Sequence, residues 1–277
     1  IPRDGRLYIS QGFIGSTTTG VTSTLGRSGS DYSAAIFASA LSADVLEIWT
    51  DVDGIMTTDP RIVTEAVRVP ALSYAEAAEL AYFGAKVVHP ATMQPAIGKN
   101  IPIYVRNTHN PTNPGTCISN EERELGLRAI AEKKSITVVT IQSSRMLHAY
   151  GFMENLFGIF ARNHVSVDLV TTSEVSVSVS LDTEAVEGDF ENALIELKKL
   201  GEVSIEKNMA IICLVGYNLW KNAVFTAKVF NAIQDIPVRM ISLGASDVNL
   251  SLIVPEKNRI EAVKELHAAF FHDSSSS

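Results

Sequence analysis

Cysteine is nearly absent: Cys117 and Cys213 are the only two in 277 residues. Two thiols make neither a disulfide framework nor a thiolate metal site, and they fit a reducing compartment. Long apolar runs are missing as well. The longest, 209–215, is far too short to cross a bilayer. No basic stretch leads into an apolar one near Ile1, as a secretory signal requires. Basic residues are outnumbered, 23 against 31 acidic, and lie scattered, which argues against a nucleic-acid partner. The chain also lacks a Walker loop, a dinucleotide fingerprint and a nucleophile triad. What is present is globular: 46% hydrophobic and 19% charged residues, with length enough for two or three domains. The chain opens at Ile1 with 6–13 reading as a strand already under way, and closes on a serine tail at 273–277. A fragment lacking its N-terminal portion is therefore expected.

The first part alternates glycine-rich loops, β-branched runs and alanine-rich helical stretches. Residues 30–41 have helical spacing, 44–49 form an apolar strand ending at Thr50-Asp51, and 101–105 form another strand. Ser73 and Glu76 make a capping-box pattern, with Gly84 placed to stop the helix that follows. Helices alternating with buried strands predict an α/β layer fold on a mainly parallel sheet. The stretch 107–115 reads as a loop, and 121–124 as a charged connection.

Beyond about residue 125 the chain repeats itself. Residues 165–181 match 238–254 at a constant offset of 73. Each copy holds two alternating strands around a tight acidic turn, Ser173-Glu174 or Ser246-Asp247. Each is preceded by a strand (136–141; 209–215) and an amphipathic helix (152–163; 223–233), and followed by a second helix (190–200; 259–271). That order begins a ferredoxin-like unit. The first copy closes with a fourth strand at 202–207, whereas the second has none. The orphaned strand 127–132 is expected to cross over and complete it, so that one unit is inserted in the other.

Chemistry concentrates in two loops. Thr24-Leu-Gly-Arg-Ser-Gly-Ser-Asp31 stands before a helix, whose N-terminal amides favour an anion; Arg27 offers a bidentate clamp. Asp31 either receives an ammonium group or is an ordinary helix cap on a Gly-Ser turn. Trp49-Thr-Asp-Val-Asp-Gly54 puts Thr50 and Asp51 at the carboxyl edge of a sheet, where open α/β folds bind ligands. The loop lacks the further acidic residues of a calcium loop, so no metal site is expected. Arg61 and Lys86 are cations suited to polyphosphate or simply solvated charges, and His89-Pro90 reads as a helix stop.

These segments, with Ser10-Gln-Gly-Phe-Ile-Gly15, Thr58-Asp-Pro-Arg61 and Phe83-Gly-Ala-Lys-Val-Val-His-Pro90, resemble the aspartate kinases of the amino acid kinase family, and the repeat resembles their paired ACT domains. Met146-Leu-His-Ala-Tyr-Gly-Phe152 and the 166–175 segment look most like the lysine-sensitive, monofunctional branch. Ser28 replaces a usual glycine, Ala149 replaces a usual serine, and the family's N-terminal Lys-Phe-Gly-Gly segment is absent. The resemblance implies an amino acid kinase lobe at 1–120, a first ACT domain at 134–208, a second at 126–133 plus 209–272, and a tail at 273–277.

The implied reaction transfers the ATP γ-phosphate to the side-chain carboxylate of L-aspartate, with Mg²⁺ held mainly by the nucleotide. This fragment alone is expected to be inactive. Arg27 and Asp31 take the catalytic positions and, with Ser30, hold aspartate. Thr50, Asp51, Met56, Arg61, Lys86 and Val87 hold ATP. L-Lysine is the implied effector, bound by Met146, His148, Ala149, Gly151, Phe152, Met153, Val167, Asp168, Thr172, Ser173 and Glu174. At the offset of 73 Asp168 aligns with Ile241, so only the first copy supplies a carboxylate for an ammonium group; the plain alternative is that Asp168 faces solvent. A cytoplasmic homodimer through the ACT domains, or a tetramer, is implied, with an upstream organelle-targeting segment left open. The rival reading is a non-catalytic ACT-domain amino-acid sensor or regulatory subunit.

Overall fold

The computed structural model describes residues 5–26, 28–84, 90–121, 125–147, 150–183 and 189–272. A short hairpin comes first, β1 (Ile14–Ser16) with β2 (Thr22–Thr24). The expected strand at 6–13 does not form: among the described residues no strand lies beside this backbone, and Leu7 and Ile9 stand about nine-tenths exposed at 88% and 91%.

A four-stranded sheet follows, ordered β3 (Leu46–Thr50), β5 (Ile103–Asn107), β6 (Thr116–Ser119) and β4 (Ala71–Ser73). The β3/β5 and β4/β6 pairings are parallel, as the alternating pattern implies, whereas β5/β6 is antiparallel. Helices α1 (Gly29–Leu41), α2 (Tyr74–Tyr82) and α3 (Pro90–Ile97) accompany it. Both bonds of the capping box form at α2: Ser73 Oγ accepts from the Glu76 N–H (3.2 Å), and the Glu76 carboxylate accepts from the Ser73 N–H (2.7 Å). Pro90 starts a helix rather than stopping one; its fixed φ suits a first turn.

The repeat forms one six-stranded sheet, ordered β11 (Met240–Leu243), β12 (Asn249–Pro255), β10 (Glu202–Tyr217), β7 (Gly126–Gln142), β9 (Ser176–Asp182) and β8 (Val170–Thr172). Strands expected separately are fused here. The 127–132 and 136–141 segments are two halves of β7, and 202–207 and 209–215 are two halves of β10. The first half of β7 pairs with the second half of β10, which pairs in turn with β12; the second half of β7 lies between β9 and the first half of β10. Register shifts near Met209 separate the halves.

The long apolar stretch of β10 is explained by what covers it. Met209, Ile211, Cys213 and Val215 face a core shared with α1, α2 and the four-stranded sheet. Ala210, Ile212 and Leu214 face α6 (Ala223–Ala232) and α7 (Arg259–Phe271). A strand buried on both faces has no polar alternation to show. In the first unit, α4 (Phe152–Arg162) and α5 (Phe190–Leu197) cover Val139, Ile141, Val177 and Val179.

Thr57 fastens the first lobe to the second unit. Its carbonyl accepts from the Ile130 N–H (2.7 Å), and its hydroxyl lies 2.9 Å from Nε2 of the buried His267 on α7. Burial first, then the neighbouring His272, holds His267 below its ordinary pKa. The unfolded chain therefore takes up the proton first as pH falls. The stability from neutral His267 is complete above about pH 6.5 and drains away below it. Urea unfolding should show stability falling between about pH 7 and pH 5, with a smaller fall in His267→Gln. Equal pH dependence in both proteins would exclude His267 as the source.

Candidate functional site

Two sets of polar residues gather where the fold brings element ends together. The first lies at the carboxyl ends of β3 and β5, where Thr50 and Asn107 stand in register on adjacent parallel strands. The Thr50 carbonyl accepts both the N–H and the hydroxyl of Thr108, at 2.8 and 2.6 Å. The Thr50 hydroxyl donates to Asp51 Oδ1 (3.1 Å), and the Asp51 side chain is exposed. Asp53 turns inward and accepts from Asn107 Nδ2 (2.7 Å) and Asn110 Nδ2 (3.4 Å). Gly54 then turns at φ 118°, where a Cβ would meet the Thr116 hydroxyl at 2.5 Å. The loop is thus tied at both ends, and its free polar edge consists of Thr50 and Asp51.

The other sequence candidates of this lobe are placed less uniformly. Met56 is half-buried and bridges to Arg68. Arg61 forks onto Asp59, with bonds of 2.6 to 3.1 Å, and is otherwise bathed in solvent. That guanidinium holds the Asp59 carboxyl below its usual range. Ser30 and Asp31 lie in the first turn of α1, whose cap is Ser28 in the left-handed region, φ 54°. Asp31 is therefore not the helix cap. Half-buried there, it has a pKa raised by desolvation. Arg27, Lys86, Val87 and His89 lie outside the described residues.

The second set belongs to the repeat. Gly151 caps α4 at φ 78°, a conformation that favours glycine. Met146, Phe152, Met153 and Val167 pack on the core of the first unit. Thr172, Ser173 and Glu174 are exposed around the hairpin tip, where the Ser173 and Ser176 hydroxyls meet at 2.7 Å. His148 and Ala149 lie outside the described residues.

Asp168 does not face solvent: its side chain is 3% exposed. One carboxylate oxygen accepts from the Tyr82 hydroxyl at the end of α2 (2.5 Å); the other is 3.1 Å from Lys133 Nζ, which also reaches Asp182 at 3.1 Å. Burial and these carboxylates push the Tyr82 phenol well up, so it stays a neutral donor.

The structural counterpart of Asp168 is not Ile241. Asp168 and Arg239 donate their backbone N–H groups to Ser180 and Ile253, carbonyls 73 residues apart. The sequence offset fails because the turn spans 173–175 in the first copy and 244–248 in the second. Arg239 bonds Glu206 (2.6 Å) and Thr140 (3.1 Å). Each copy therefore sends one charge across to the other, with the signs exchanged.

Residues 2–107 match the amino acid kinase family, and residues 212–270 match the ACT domain. The chain is 45% identical over 271 residues to lysine-sensitive aspartokinase 3 of Escherichia coli, covering 96% of this chain and 60% of the relative. Nearly the whole of the chain is thus similar to part of an aspartokinase. It is also 42% identical to the chloroplastic aspartokinase 3 of Arabidopsis thaliana, covering 97% of this chain and 50% of that one. It thus spans about half to three-fifths of these aspartokinases. The E. coli aspartokinase III structure with aspartate and ADP (R-state) superposes with a TM-score of 0.83 at 44% identity, covering 94% of this chain and 60% of that one. The same enzyme with lysine and aspartate (T-state) gives 0.79, again at 44% identity, covering 94% and 59%.

Sequence reasoning missed Asn107, Thr108, Tyr82 and Lys133. The polar run directly after an apolar strand was the available sign for the first two, since a strand end beside Thr50 is a ligand edge. Nothing local marks Tyr82 or Lys133, whose roles arise from contacts with Asp168. Asp53→Ala should leave the Asn107 amide without its partner and lower stability by about 1 kcal/mol in urea unfolding. An unchanged midpoint would show that this pair does not hold the loop.

Proposed function

We propose that this chain carries the substrate loops and the regulatory sheet of an aspartate kinase, which moves the γ-phosphoryl group of ATP to the side-chain carboxylate of L-aspartate. The observation carrying this reading is the edge at β3 and β5, where Thr50 and Asp51 are left open by a loop that Asp53, Asn107 and Gly54 hold in place. The E. coli relative has been solved with aspartate and ADP. Phosphoryl transfer asks chiefly for positioning and charge neutralisation. Thr50 and Asp51 meet the nucleotide, Met56 lines its approach, and Arg61 and Lys86 neutralise its phosphates once Arg61 leaves Asp59. Mg²⁺ enters on the phosphates, since Asp53 is already engaged by Asn107. Arg27, Ser30 and Asp31 hold aspartate, with the partly buried Asp31 carboxylate facing its ammonium group.

The kinase lobe runs over 1–120, the first ACT domain over 134–208, and the second over 126–133 plus 209–272. L-Lysine binds the first ACT domain at Asp168, with Met146, His148, Ala149, Gly151, Phe152, Met153, Val167, Thr172, Ser173 and Glu174 around it. The second unit offers Arg239 at the matching place, and a cation there repels an ammonium group. The enzyme acts in the cytoplasm. No helix among the described residues is long and apolar enough to cross a membrane.

The assay is aspartate-dependent ADP release by the full-length protein containing this chain. Lysine should inhibit it, Asp168→Ala should abolish the inhibition, and Ile241→Ala should retain it. Absence of aspartate-dependent turnover would remove the catalytic assignment, and lysine inhibition surviving Asp168→Ala would remove the effector site. The chain is further expected to dimerise through the first ACT domain, whose edge strand β8 exposes Val170. Light scattering at micromolar concentration should give twice the chain mass with and without lysine; a monomer in both would contradict it.

A further inference from the structure

Around Asp168, two carboxylates, Asp168 and Asp182, both meet the ammonium of Lys133, and the fourth member is the neutral Tyr82 hydroxyl. Glu79, one turn before Tyr82 on α2, adds a further negative field at that hydroxyl. Lys133 also lies 5.0 Å from the centre of the Tyr82 ring, so phenol and ammonium pack as one plug over the carboxylate. With its side chain 3% exposed, Asp168 has no open face for another cation. A free ammonium can reach it only where a present partner leaves. Tyr82 is the replaceable one: exchanging a neutral donor for a charged one strengthens the bond to the carboxylate.

The position of these partners gives the exchange a consequence. Tyr82 ends α2, which belongs to the kinase lobe, Lys133 is on the half of β7 that completes the second unit, and Asp168 and Asp182 belong to the first. One carboxylate therefore joins three parts of the molecule. Helix α2 has a second tie to the regulatory sheet, Glu79 to Asn249 Nδ2 at 2.7 Å. Among the described residues, the Asp168 link is nevertheless its hydrogen bond to the first unit.

We propose that Tyr82 and Lys133 are residues of the effector site, holding the place of the effector's ammonium group on Asp168, so that bound amino acid displaces the Tyr82 hydroxyl and frees the end of α2 from the first ACT domain. The proposal rests on the reading of Asp168 as the lysine site. Binding and signal are then a single exchange of partners. Removing the internal competitor should tighten binding and weaken the signal together, which a purely structural role for Tyr82 would not do.

The test is lysine calorimetry on this chain, combined with hydrogen exchange across 74–82. Tyr82→Phe, which keeps the ring, should bind lysine about tenfold tighter, and Lys133→Met tighter still, while Lys133→Arg stays near wild type. Lysine should speed exchange at the end of α2 in the wild type and change little in Tyr82→Phe, where that end is already released. Affinity within twofold of wild type in both Tyr82→Phe and Lys133→Met, or lysine-induced exchange persisting in Tyr82→Phe, would overturn the displacement while leaving the site intact. No lysine binding to the wild type, or undiminished binding to Asp168→Asn, would overturn the effector-site reading itself.

Discussion

The structure depends on the pairing of two long strands. β7 and β10 run antiparallel over nearly their whole lengths, and each contributes one half to each copy of the repeat. The fourth strand of the second unit is thereby supplied from ahead of the first, and the sheet closes without an unmatched inner edge. Neither copy can slip in register without pulling on the other, because each long strand is paired in both copies at once. The same strand couples the repeat to the first lobe: alternate residues of β10 face a core shared with α2, and the others face α6 and α7. A rearrangement in the sheet is therefore felt in the lobe that carries Thr50 and Asp51.

On this frame the two copies have diverged in charge rather than in shape. Asp168 and Arg239 occupy matching places and each reaches across to the other unit, to Lys133 and Glu206. The pairs differ in setting. Asp168 is almost wholly enclosed, whereas Arg239 and Glu206 are 35% and 43% exposed. A surface pair contributes little and is screened by salt. An enclosed carboxylate is costly to leave unpartnered, which makes it suited to a site where one cation replaces another donor. Two copies of one fold thus place a charge in different settings, an exposed ion pair in one and an enclosed carboxylate in the other, and the proposed ligand exchange belongs to the second.

Much of this was legible in the residues. The repeat and its strand-helix order, the capping box at Ser73, and the need for a crossover strand all follow from periodicity and from counting strands. The merger of short strands into β7 and β10 was not, because continuity across Ser135 and Asn208, both at positive φ, depends on pairing partners far away in sequence. Aligning Asp168 with Ile241 failed for a related reason: a constant offset ignores a turn that lengthens between the paired strands. Thr50 and Asp51 could be found because a polar pair ending an apolar strand marks a sheet edge. Tyr82 and Lys133 could not, since an exposed-looking tyrosine on an alanine-rich helix and a lysine within a strand carry no sign of the carboxylate they meet.

The most direct test of the account is an experimental structure of this chain with lysine bound. The account predicts an ammonium group of the ligand on the Asp168 carboxylate, with the Tyr82 hydroxyl moved out of hydrogen-bonding distance and the end of α2 displaced from the first unit. Lysine seated on the second unit, or bound at Asp168 with the Tyr82 hydrogen bond intact, would contradict it.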